Sequence, residues 1–237
     1  MKNLIDEKFP EIPRCELYLC GGLVRDHLLG LPSKDRDFVV LTDMSFEELC
    51  SEIEKIGKIF IKEPDFLTVR CRIDNEAIDI AFPRGEGGYR DGRHPNHVIK
   101  VGTLKEDASR RDFTINSMFL DKDKNVLDYF GGQEDLKDKI IRTVGNPYER
   151  FKEDFLRICR AIRFSAKLGF DIEWDTKMAM MNEAHNLNKI SFERIKDELN
   201  VALKYNPRYT YLMIDELKIW DILKELGLNF QLTSAKL

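Results

Sequence analysis

The chain has 237 residues, of which 43% are hydrophobic and 34% are charged, a balance that excludes an intrinsically disordered chain. The formal net charge of −4 excludes an overall basic character, although a local basic patch can still bind nucleic acid. No apolar run is long enough to cross a bilayer and residues 1–13 lack the apolar core of a signal peptide, so we expect a cytoplasmic protein that binds no membrane. Five cysteines without a Cys-x-x-Cys pair indicate reduced thiols.

The first third of the chain has the pattern of alternating strands and helices. Residues 15–20 alternate in polarity and end at Gly21-Gly22, which predicts a strand that runs into a tight turn, and a short helix is expected over 24–29. A second strand is predicted over 37–41. The sequence Ser45-Phe46-Glu47-Glu48 has the spacing of a capping box, and it predicts a helix that ends near residue 56.

The pattern changes along the rest of the chain. Two further strands are expected around 68–73 and 77–82, the Gly-, Arg- and His-rich residues 84–97 are expected to form a mobile loop, and strand segments are expected over 113–120 and 126–129. After Pro147 the pattern is helical, with an apolar stripe at helical spacing. The sequence therefore predicts a mixed α/β region of about 145 residues followed by helices. The stripe comprises Phe155, Ile158, Cys159, Ile162 and Phe164.

Two carboxylates, Asp35 and Asp37, are two residues apart at the start of the second predicted strand. Side chains at this spacing share one face of a strand, where two negative charges repel each other unless a cation lies between them. Mg²⁺ suits such a site because it takes hard oxygen ligands and keeps waters and phosphate oxygens in the rest of its shell. A solvent-exposed Asp-rich turn after Pro32 is the alternative, but the preceding strand, glycine turn and helix favour a metal site.

The segment Gly21-Gly22-Leu23-Val24-Arg25-Asp26 opens a helix directly after a strand. Glycines let backbone N–H groups approach a phosphate, a helix N-terminus favours negative charge, and Arg25 can add a charged fork; an ordinary turn is the alternative. Followed by Asp35-Arg36-Asp37, this segment resembles motif A of the class II CCA-adding enzymes and bacterial poly(A) polymerases, in the DNA polymerase β nucleotidyltransferase superfamily. The resemblance covers roughly residues 18–199.

The resemblance implies an α+β fold and a division into three parts. These parts are a polymerase-β-like nucleotidyltransferase head with a mixed sheet over 1–145, an all-helical neck over 146–205 and a short helical body over 206–237. Family members usually continue into larger helical body and tail domains that grip tRNA. Because little remains here apart from residues 211–237, two alternatives stay open: a compact, reduced version of the family, or a chain that relies on a partner or a dimer to bind tRNA. The second alternative makes a homo-oligomer an option.

Segment 110–117, Arg-Arg-Asp-Phe-Thr-Ile-Asn-Ser, resembles motif B of the same family. In the family its Arg-Asp unit, here Arg111 and Asp112, contacts the ribose. The chemistry is consistent, because a carboxylate accepts a hydrogen bond from a ribose hydroxyl and a guanidinium donates one. A charged cap before a strand is the alternative for this segment alone. Segment 128–132, Asp-Tyr-Phe-Gly-Gly, resembles motif C, which implies a hinge between head and neck.

Segment 153–164, Glu-Asp-Phe-Leu-Arg-Ile-Cys-Arg-Ala-Ile-Arg-Phe, resembles motif D. On a continuous helix Glu153 and Arg157 would pair, and Asp154 would share a face with Arg157. Arg160 and Arg163 would continue this polar side; a surface ion-pair helix is the alternative. The resemblance implies that Asp154 and Arg157 serve as a protein template for cytosine and adenine. These two bases present an amino group beside an acceptor ring nitrogen. Uracil and guanine present the reverse pattern.

Two further segments complete the resemblance. Segment 191–198 is similar to motif E, which braces the neck helices. Segment 77–82 matches the strand that often carries a third acidic residue, which makes Asp79 a candidate third catalytic carboxylate. Basic side chains in the second half are candidates for contacts with acceptor-stem phosphates, and a solvated face is the alternative. These are Lys139, Arg142, Arg150, Lys152 and Lys167.

The implied function is template-independent addition of C and A to the 3′ end of tRNA from CTP and ATP, with release of pyrophosphate. Mg²⁺ would be held by Asp35 and Asp37, with Gly21, Gly22 and Arg25 at the triphosphate. Residues 89–95 resemble the flexible loop of CCA- and A-adding enzymes, which disfavours a CC-adding enzyme. A poly(A) polymerase or an A-adding enzyme is the first alternative. A non-catalytic tRNA-binding protein is the second, and the acidic pair argues against it.

Overall fold

The computed structural model describes residues 9–33, 36–89 and 95–225, with the side chains of 86–89 and 95–97 left out. The chain divides into two compact units. One contains the residues up to Gly88 together with Asn96–Asp138, and the other contains the residues from Lys139 onward. The predicted domain boundaries at residues 145 and 205 stay predictions. Within the described ranges, no helix is both long and apolar enough to cross a membrane.

Most of the strands belong to the first unit. The strands are β1 (Glu16–Cys20), β2 (Asp37–Leu41), β3 (Gly57–Glu63), β4 (Thr68–Ile73), β5 (Glu76–Ala81), β6 (Arg84–Tyr89), β7 (Pro95–Lys100), β8 (Phe119–Leu120), β9 (Val126–Leu127), β10 (Ile140–Ile141) and β11 (Asp171–Ile172). Seven of them form one sheet in the order β3-β4-β5-β2-β1-β8-β9. The β2–β5 pair is parallel and the other neighbours are antiparallel. This mixed sheet agrees with the predicted α+β head.

The helices are shared between the two units. They are α1 (Gly22–Leu28), α2 (Phe46–Ile56), α3 (Leu104–Ser109), α4 (Gly132–Asp138), α5 (Pro147–Glu153), α6 (Leu156–Leu168), α7 (Trp174–Glu183), α8 (Phe192–Tyr205), α9 (Pro207–Glu216) and α10 (Trp220–Glu225). The first four belong to the first unit and the other six to the second. The second unit is therefore mainly helical, as predicted, although β10 and β11 add a short parallel pair.

The early part of the sequence folds as its pattern predicts. β1, β2, β4 and β5 confirm the four predicted strands to within one residue at each end. The capping box at the start of α2 is confirmed as well. The backbone N–H of Glu48 donates to Ser45 Oγ at 3.1 Å, and the backbone N–H of Ser45 donates to Glu48 Oε2 at 2.7 Å. Two N–H groups that the helix cannot satisfy itself are thereby bonded.

Two predictions about this unit are wrong in part, and one strand was missed. The strand β3 was not predicted. Residues 84–97 are not a simple loop, because β6 and β7 pair as a two-stranded sheet on either side of residues 90–94, which lie outside the described residues. The predicted strand 113–120 is a 3-10 turn over Thr114–Asn116 followed by the two residues of β8.

Side-chain hydrogen bonds explain why residues 113–120 do not form a strand. The hydroxyl of Thr114 donates to Asp135 Oδ2 at 2.6 Å, and the hydroxyl of Ser117 donates back to the carbonyl of Thr114 at 2.8 Å. Such local bonds offer the backbone an alternative to a sheet ladder. The turn is fully enclosed, since Phe113 and Ile115 are buried as well.

A glycine lets α4 pack closely against this turn. A Cβ atom at Gly132 would lie 2.3 Å from the backbone carbonyl oxygen of Thr114, a distance at which the backbone would have to move. The N–H of Gly132 also donates to Asp128 Oδ1 at 3.0 Å, so Asp128 holds the start of the helix. Gly132 therefore serves close packing in this structure, and the predicted hinge role of segment 128–132 stays a prediction.

We expect Gly132→Ala to destabilise the protein by about 1–3 kcal/mol, because the added methyl group must displace backbone. The free energy of unfolding is measured by urea titration followed by far-ultraviolet circular dichroism. Gly102→Ala is the matched control, since nothing lies within 4 Å of a Cβ at Gly102. It should change the unfolding free energy by less than about 0.5 kcal/mol. Equal effects of the two substitutions would contradict this account of α4 packing.

Candidate active site

Two carboxylates lie side by side on the central sheet. Asp37 is the first residue of β2, and in the parallel pairing its Cα partner is Asp79 on β5. Partners in register on neighbouring strands project from the same face of a sheet. The backbone N–H of Asp79 donates to the carbonyl of Arg36 at 3.0 Å, which fixes this register. The structure therefore brings together two of the three predicted catalytic carboxylates, while Asp35 lies outside the described residues.

These carboxylates suit a divalent cation. Carboxylate oxygens are hard ligands of the kind that Mg²⁺ and similar ions prefer, and two on one face offer a site with room for waters or phosphate oxygens. Among the residues that the structure describes, no group of three acidic, His or Cys side chains is close enough to bind a metal by itself. Asp35, which lies outside the described residues, is the predicted further ligand.

The glycine turn begins next to this acidic pair. Leu19 on β1 pairs with Phe38 on β2, so the chain leaves β1 beside Asp37 and enters the turn at Gly21. Gly21 has φ of +70°, a left-handed conformation that favours glycine, and a Cβ there would lie 3.3 Å from Arg111 Nη1. A larger residue at Gly21 would therefore strain the backbone and crowd the guanidinium of Arg111.

Arg25 lies beneath the turn rather than out in solvent. It is only 3% exposed, and its guanidinium donates to Asp26 Oδ1 from Nε at 2.8 Å and to Asn116 Oδ1 from Nη1 at 2.6 Å. Asn116 in turn donates to Asp112 Oδ1 at 3.1 Å. This buried chain of hydrogen bonds joins α1 to the segment that resembles motif B. Contact between Arg25 and a phosphate stays a prediction, and the structure adds a supporting role under the turn.

Asp107 organises the two arginines of the same segment. Its side chain is 0% exposed, and Oδ1 accepts from Arg110 Nη2 at 2.7 Å while Oδ2 accepts from Arg111 Nη2 at 2.8 Å. Burial alone would raise the pKa of Asp107, but the charges of Arg111 and Arg110 outweigh burial and hold the pKa below its ordinary value. Asp107 therefore stays ionised and fixes the guanidinium of Arg111 beside the glycine turn.

Asp107 and Asn116 were not predicted as functional residues. Asp107 had a detectable signal, because it lies three and four residues before Arg110 and Arg111, the spacing at which helical side chains meet. The helix α3 that carries it begins with its own capping box, formed by Thr103 and Glu106. The role of Asn116 depends on a contact 91 residues away along the chain, and no local pattern predicts such a contact.

The segment that resembles motif D is not one helix. Asp154 has extended backbone angles, φ −148° and ψ 102°, and it separates α5 from α6. Its carboxylate accepts from the backbone N–H of Leu156, the first residue of α6, at 2.9 Å. The prediction that Asp154 and Arg157 share a face of a continuous helix is therefore wrong. Even so, the backbone N–H of Arg157 donates to the Asp154 carbonyl at 3.1 Å, so the two residues stay one turn apart.

Arg157 is held tightly where it enters α6. It is buried, and its Nη1 donates to Glu153 Oε2 at 2.8 Å and to the carbonyl of Arg150 at 2.9 Å. The predicted pair of Glu153 and Arg157 is confirmed. Glu153 also accepts from the guanidinium of Arg150. Arg150, which was predicted to contact a phosphate, is therefore part of the same group of ion pairs.

Glu198 on α8 holds the two remaining arginines of α6. Arg163 Nε donates to Glu198 Oε2, and Arg160 Nη1 lies 3.7 Å from Oε1 of the same carboxylate. Arg163 also lies over the ring of Phe164, 4.0 Å from its centre. These contacts join α6 to α8, so part of the predicted polar side of α6 serves packing within the second unit. The apolar stripe predicted for this segment is buried.

The other basic candidates in this unit have varied surroundings. Arg142 Nη1 lies 3.5 Å from Glu173 Oε1, and Lys152 Nζ lies 3.9 Å from Glu183 Oε1. Lys167 lies 6.0 Å from the centre of the Tyr205 ring. Lys139 is exposed, with φ of +58°. Contact between these side chains and a nucleic acid stays a prediction.

Comparisons with known proteins identify the family to which this chain is similar. Residues 17–142 match the family described as the poly A polymerase head domain, and residues 169–227 match the one described as a probable RNA and SrmB-binding site of polymerase A. The CCA-adding enzyme of Staphylococcus saprophyticus is 39% identical over 187 residues, which cover 78% of this chain and 45% of that protein. The chain thus spans about half the length of the curated relatives that it matches.

Solved structures are similar over most of the chain. The Bacillus stearothermophilus CCA-adding enzyme in complex with CTP has 32% identity and a TM-score of 0.73, and the match covers 91% of this chain and 49% of that one. The Thermotoga maritima CCA-adding enzyme complexed with tRNA has 30% identity and a TM-score of 0.71, over 86% of this chain and 47% of that one. These findings confirm the predicted fold class, and the chain belongs to the family of the poly A polymerase head domain.

Proposed function

We propose that the chain adds C and A nucleotides to the 3′ end of tRNA without a nucleic-acid template, using CTP and ATP and releasing pyrophosphate. The observation that carries this proposal is the in-register pair of Asp37 and Asp79 beside the Gly21 turn. Relatives about 40% identical are named CCA-adding enzymes, and similar structures contain CTP, ATP or tRNA. These names support the choice of substrates.

The reaction joins the 3′ oxygen of the RNA to the α-phosphorus of the nucleotide and breaks the bond to the β-phosphate. We assign Asp35 and Asp37, with Asp79 as a third carboxylate, to binding Mg²⁺. When bound, such ions make the attacking hydroxyl more acidic and neutralise charge on the departing pyrophosphate. Nucleotidyltransferases of this family work with divalent metals, and Mg²⁺ is the ion that this all-oxygen donor set favours.

The residues around the glycine turn are assigned to the triphosphate and the ribose. The backbone at Gly21 and Gly22 can approach phosphate oxygens, and the buried Arg25 keeps the turn in shape through Asn116. Arg111 and Asp112 are assigned to the sugar. Asp112 Oδ1 accepts from the N–H of Phe113 at 2.8 Å, which restricts the orientation of the carboxylate and supports this assignment.

Residues of the second unit are assigned to the nucleotide base. A carboxylate accepts from the amino group of cytosine or adenine, and a guanidinium donates to the adjacent ring nitrogen; we assign these roles to Asp154 and Arg157. The contacts of Arg157 with Glu153 and the Arg150 carbonyl support a fixed guanidinium. Arg160 and Arg163 are proposed to assist, with Glu198 holding both. Uracil and guanine would leave both polar groups without partners, at a cost large enough to exclude them.

The proposal is tested by incubating the chain with a tRNA transcript that lacks its 3′ CCA, together with CTP, ATP and Mg²⁺. We expect three added nucleotides, and we expect Asp37→Asn to lower the rate by on the order of a hundredfold or more. Asp123→Asn, at an exposed turn, is the matched control and should keep the wild-type rate. Absence of extension by the wild type, or unchanged extension by Asp37→Asn, would refute the proposal.

A poly(A) polymerase is the second candidate, because the matching head-domain family carries that description. The same chemistry would then act on general RNA 3′ ends with ATP alone. Product length separates the two functions on a sequencing gel. Three nucleotides that begin with C indicate CCA addition, whereas a long tract of A indicates poly(A) synthesis.

We expect Asp107→Asn to weaken discrimination between CTP and dCTP by about tenfold, because Arg111 loses the carboxylate that fixes it near the proposed ribose site. The measurement is the ratio of kcat/KM for the two nucleotides. A general loss of stability lowers both values together and leaves the ratio unchanged, so the ratio isolates the positioning effect. The Asp123→Asn control should keep the wild-type ratio, and so would Asp107→Asn if Asp107 served the fold alone.

Asp154→Asn tests base recognition while keeping an acceptor for the N–H of Leu156. An asparagine oxygen can still accept from the N–H of Leu156, but the amide replaces a carboxylate acceptor with a donor. We expect the ratio of UTP to CTP incorporation at the first position to rise by about tenfold or more. Glu149→Gln, an exposed change on α5, should leave that ratio unaltered. An unchanged ratio in Asp154→Asn would remove Asp154 from the base-reading site.

A further inference from the structure

A third charged residue continues the row formed by the two carboxylates. Arg70 on β4 is the Cα partner of Asp79 on β5, and Asp79 is the partner of Asp37 on β2. The three residues therefore lie across three neighbouring strands at one register position and project from the same face of the sheet. The order along the row is two carboxylates followed by a guanidinium.

The guanidinium binds both oxygens of Asp79. Arg70 Nε donates to Oδ1 at 2.7 Å and Nη2 donates to Oδ2 at 2.6 Å, the bidentate geometry in which arginine and carboxylate pair most strongly. The side chains are 56% and 27% exposed, so solvent and ions can reach the pair. An exposed ion pair contributes little to stability and exchanges partners readily.

Arg70 also interacts electrostatically with the carboxylates of the row. A guanidinium keeps its proton in proteins, and Arg70 lies next to the negative charge of Asp79, with Asp37 one strand further along the row. Arg70 is therefore a permanent positive charge next to the carboxylates assigned to the metal. Its position was not predicted, because it follows from the pairing of β4 with β5.

We propose that Arg70 is a positioning residue that binds Asp79 in place of a divalent cation and so weakens binding of free metal at the acidic row. This inference rests on the proposed function of that row. Arg70 keeps Asp79 oriented beside Asp37 and offsets part of the repulsion between them. A metal ion must share or displace the guanidinium, which favours loading when a triphosphate brings additional negative charge and oxygen ligands.

The test measures metal binding directly, without nucleotide or RNA. Free Mn²⁺, used as the spectroscopic probe, is titrated into the full chain and counted by electron paramagnetic resonance. Removal of one positive charge a few ångströms from a divalent ion is expected to tighten Mn²⁺ binding in Arg70→Gln by about three- to tenfold. The Mn²⁺-induced rise in Tm should also be larger in this variant than in the wild type.

Arg72→Gln is the matched control. Arg72 is exposed on the same face of the same strand, two residues further along, and it lies over the ring of Phe60 at 5.2 Å. Its removal takes away the same charge at a greater distance from Asp79, so Mn²⁺ affinity should change by less than about twofold. Equal gains in Arg70→Gln and Arg72→Gln would overturn the proposal, because the effect would then be one of net charge alone.

A double-mutant cycle places the effect at Asp79. In the Asp79→Asn background, Mn²⁺ should bind more weakly than to the wild type, and Arg70→Gln should tighten binding by clearly less than it does in the wild-type background. If Arg70→Gln fails to fold, Arg70→Lys is the second variant, because lysine keeps the charge but loses the bidentate contact with Asp79. Its Mn²⁺ affinity should exceed that of the wild type by less than about threefold. Mn²⁺ binding that is unchanged or weaker in Arg70→Gln and in Arg70→Lys would overturn the inference.

Failure of this inference and failure of the proposed function give different results. If the wild type binds Mn²⁺ in a manner that depends on Asp37 and extends tRNA, but Arg70→Gln binds no more tightly, the inference about Arg70 alone is wrong. If the wild type shows no Mn²⁺ binding that depends on Asp37 and does not extend tRNA, the proposed function itself is wrong, and the role of Arg70 is overturned with it.

Discussion

The parallel pairing of β2 with β5 sets the position of the two described carboxylates that we assign to metal binding. This pairing places Asp37 beside Asp79, and the hydrogen bond from the Asp79 N–H to the Arg36 carbonyl fixes the register. A shift by one residue would turn Asp79 to the opposite face of the sheet. The antiparallel neighbours then place the remaining groups, with the glycine turn following β1 beside Asp37 and Arg70 on β4 beside Asp79.

Buried polar contacts connect the parts of the first unit that the sheet alone does not join. Arg25 reaches Asn116, Asn116 reaches Asp112, and Asp107 holds Arg111 close to the glycine turn. A buried ionic or polar group destabilises the fold when it lacks a partner. The network therefore stabilises the first unit only when all of its members are present. It explains how residues far apart in sequence hold one arrangement. In the second unit, carboxylates on α5 and α8 likewise hold arginines of α6 in place.

Much of the fold and the site could be predicted from the sequence, because their signals are local. The strand that begins at Asp37, the capping box at Ser45 and the pair of Glu153 with Arg157 follow from spacings of a few residues. The break at Asp154 was missed because the pattern of apolar residues continues unbroken across it, whereas the side chain of Asp154 bonds locally to the N–H of Leu156. The roles of Asn116 and Arg70 arise from pairings between distant segments.

The central claim is that the acidic row of the sheet holds the catalytic metal, and anomalous X-ray scattering from Mn²⁺ tests it most directly. Crystals of the full chain with Mn²⁺ and a non-hydrolysable CTP analogue would be measured at the manganese absorption edge. The account predicts an anomalous peak within coordination distance of an Asp37 carboxylate oxygen, on the face of the sheet that also carries Asp79, with triphosphate oxygens completing the shell. Bound nucleotide with no such peak at Asp37, or with manganese on the opposite face of the sheet, would contradict the account.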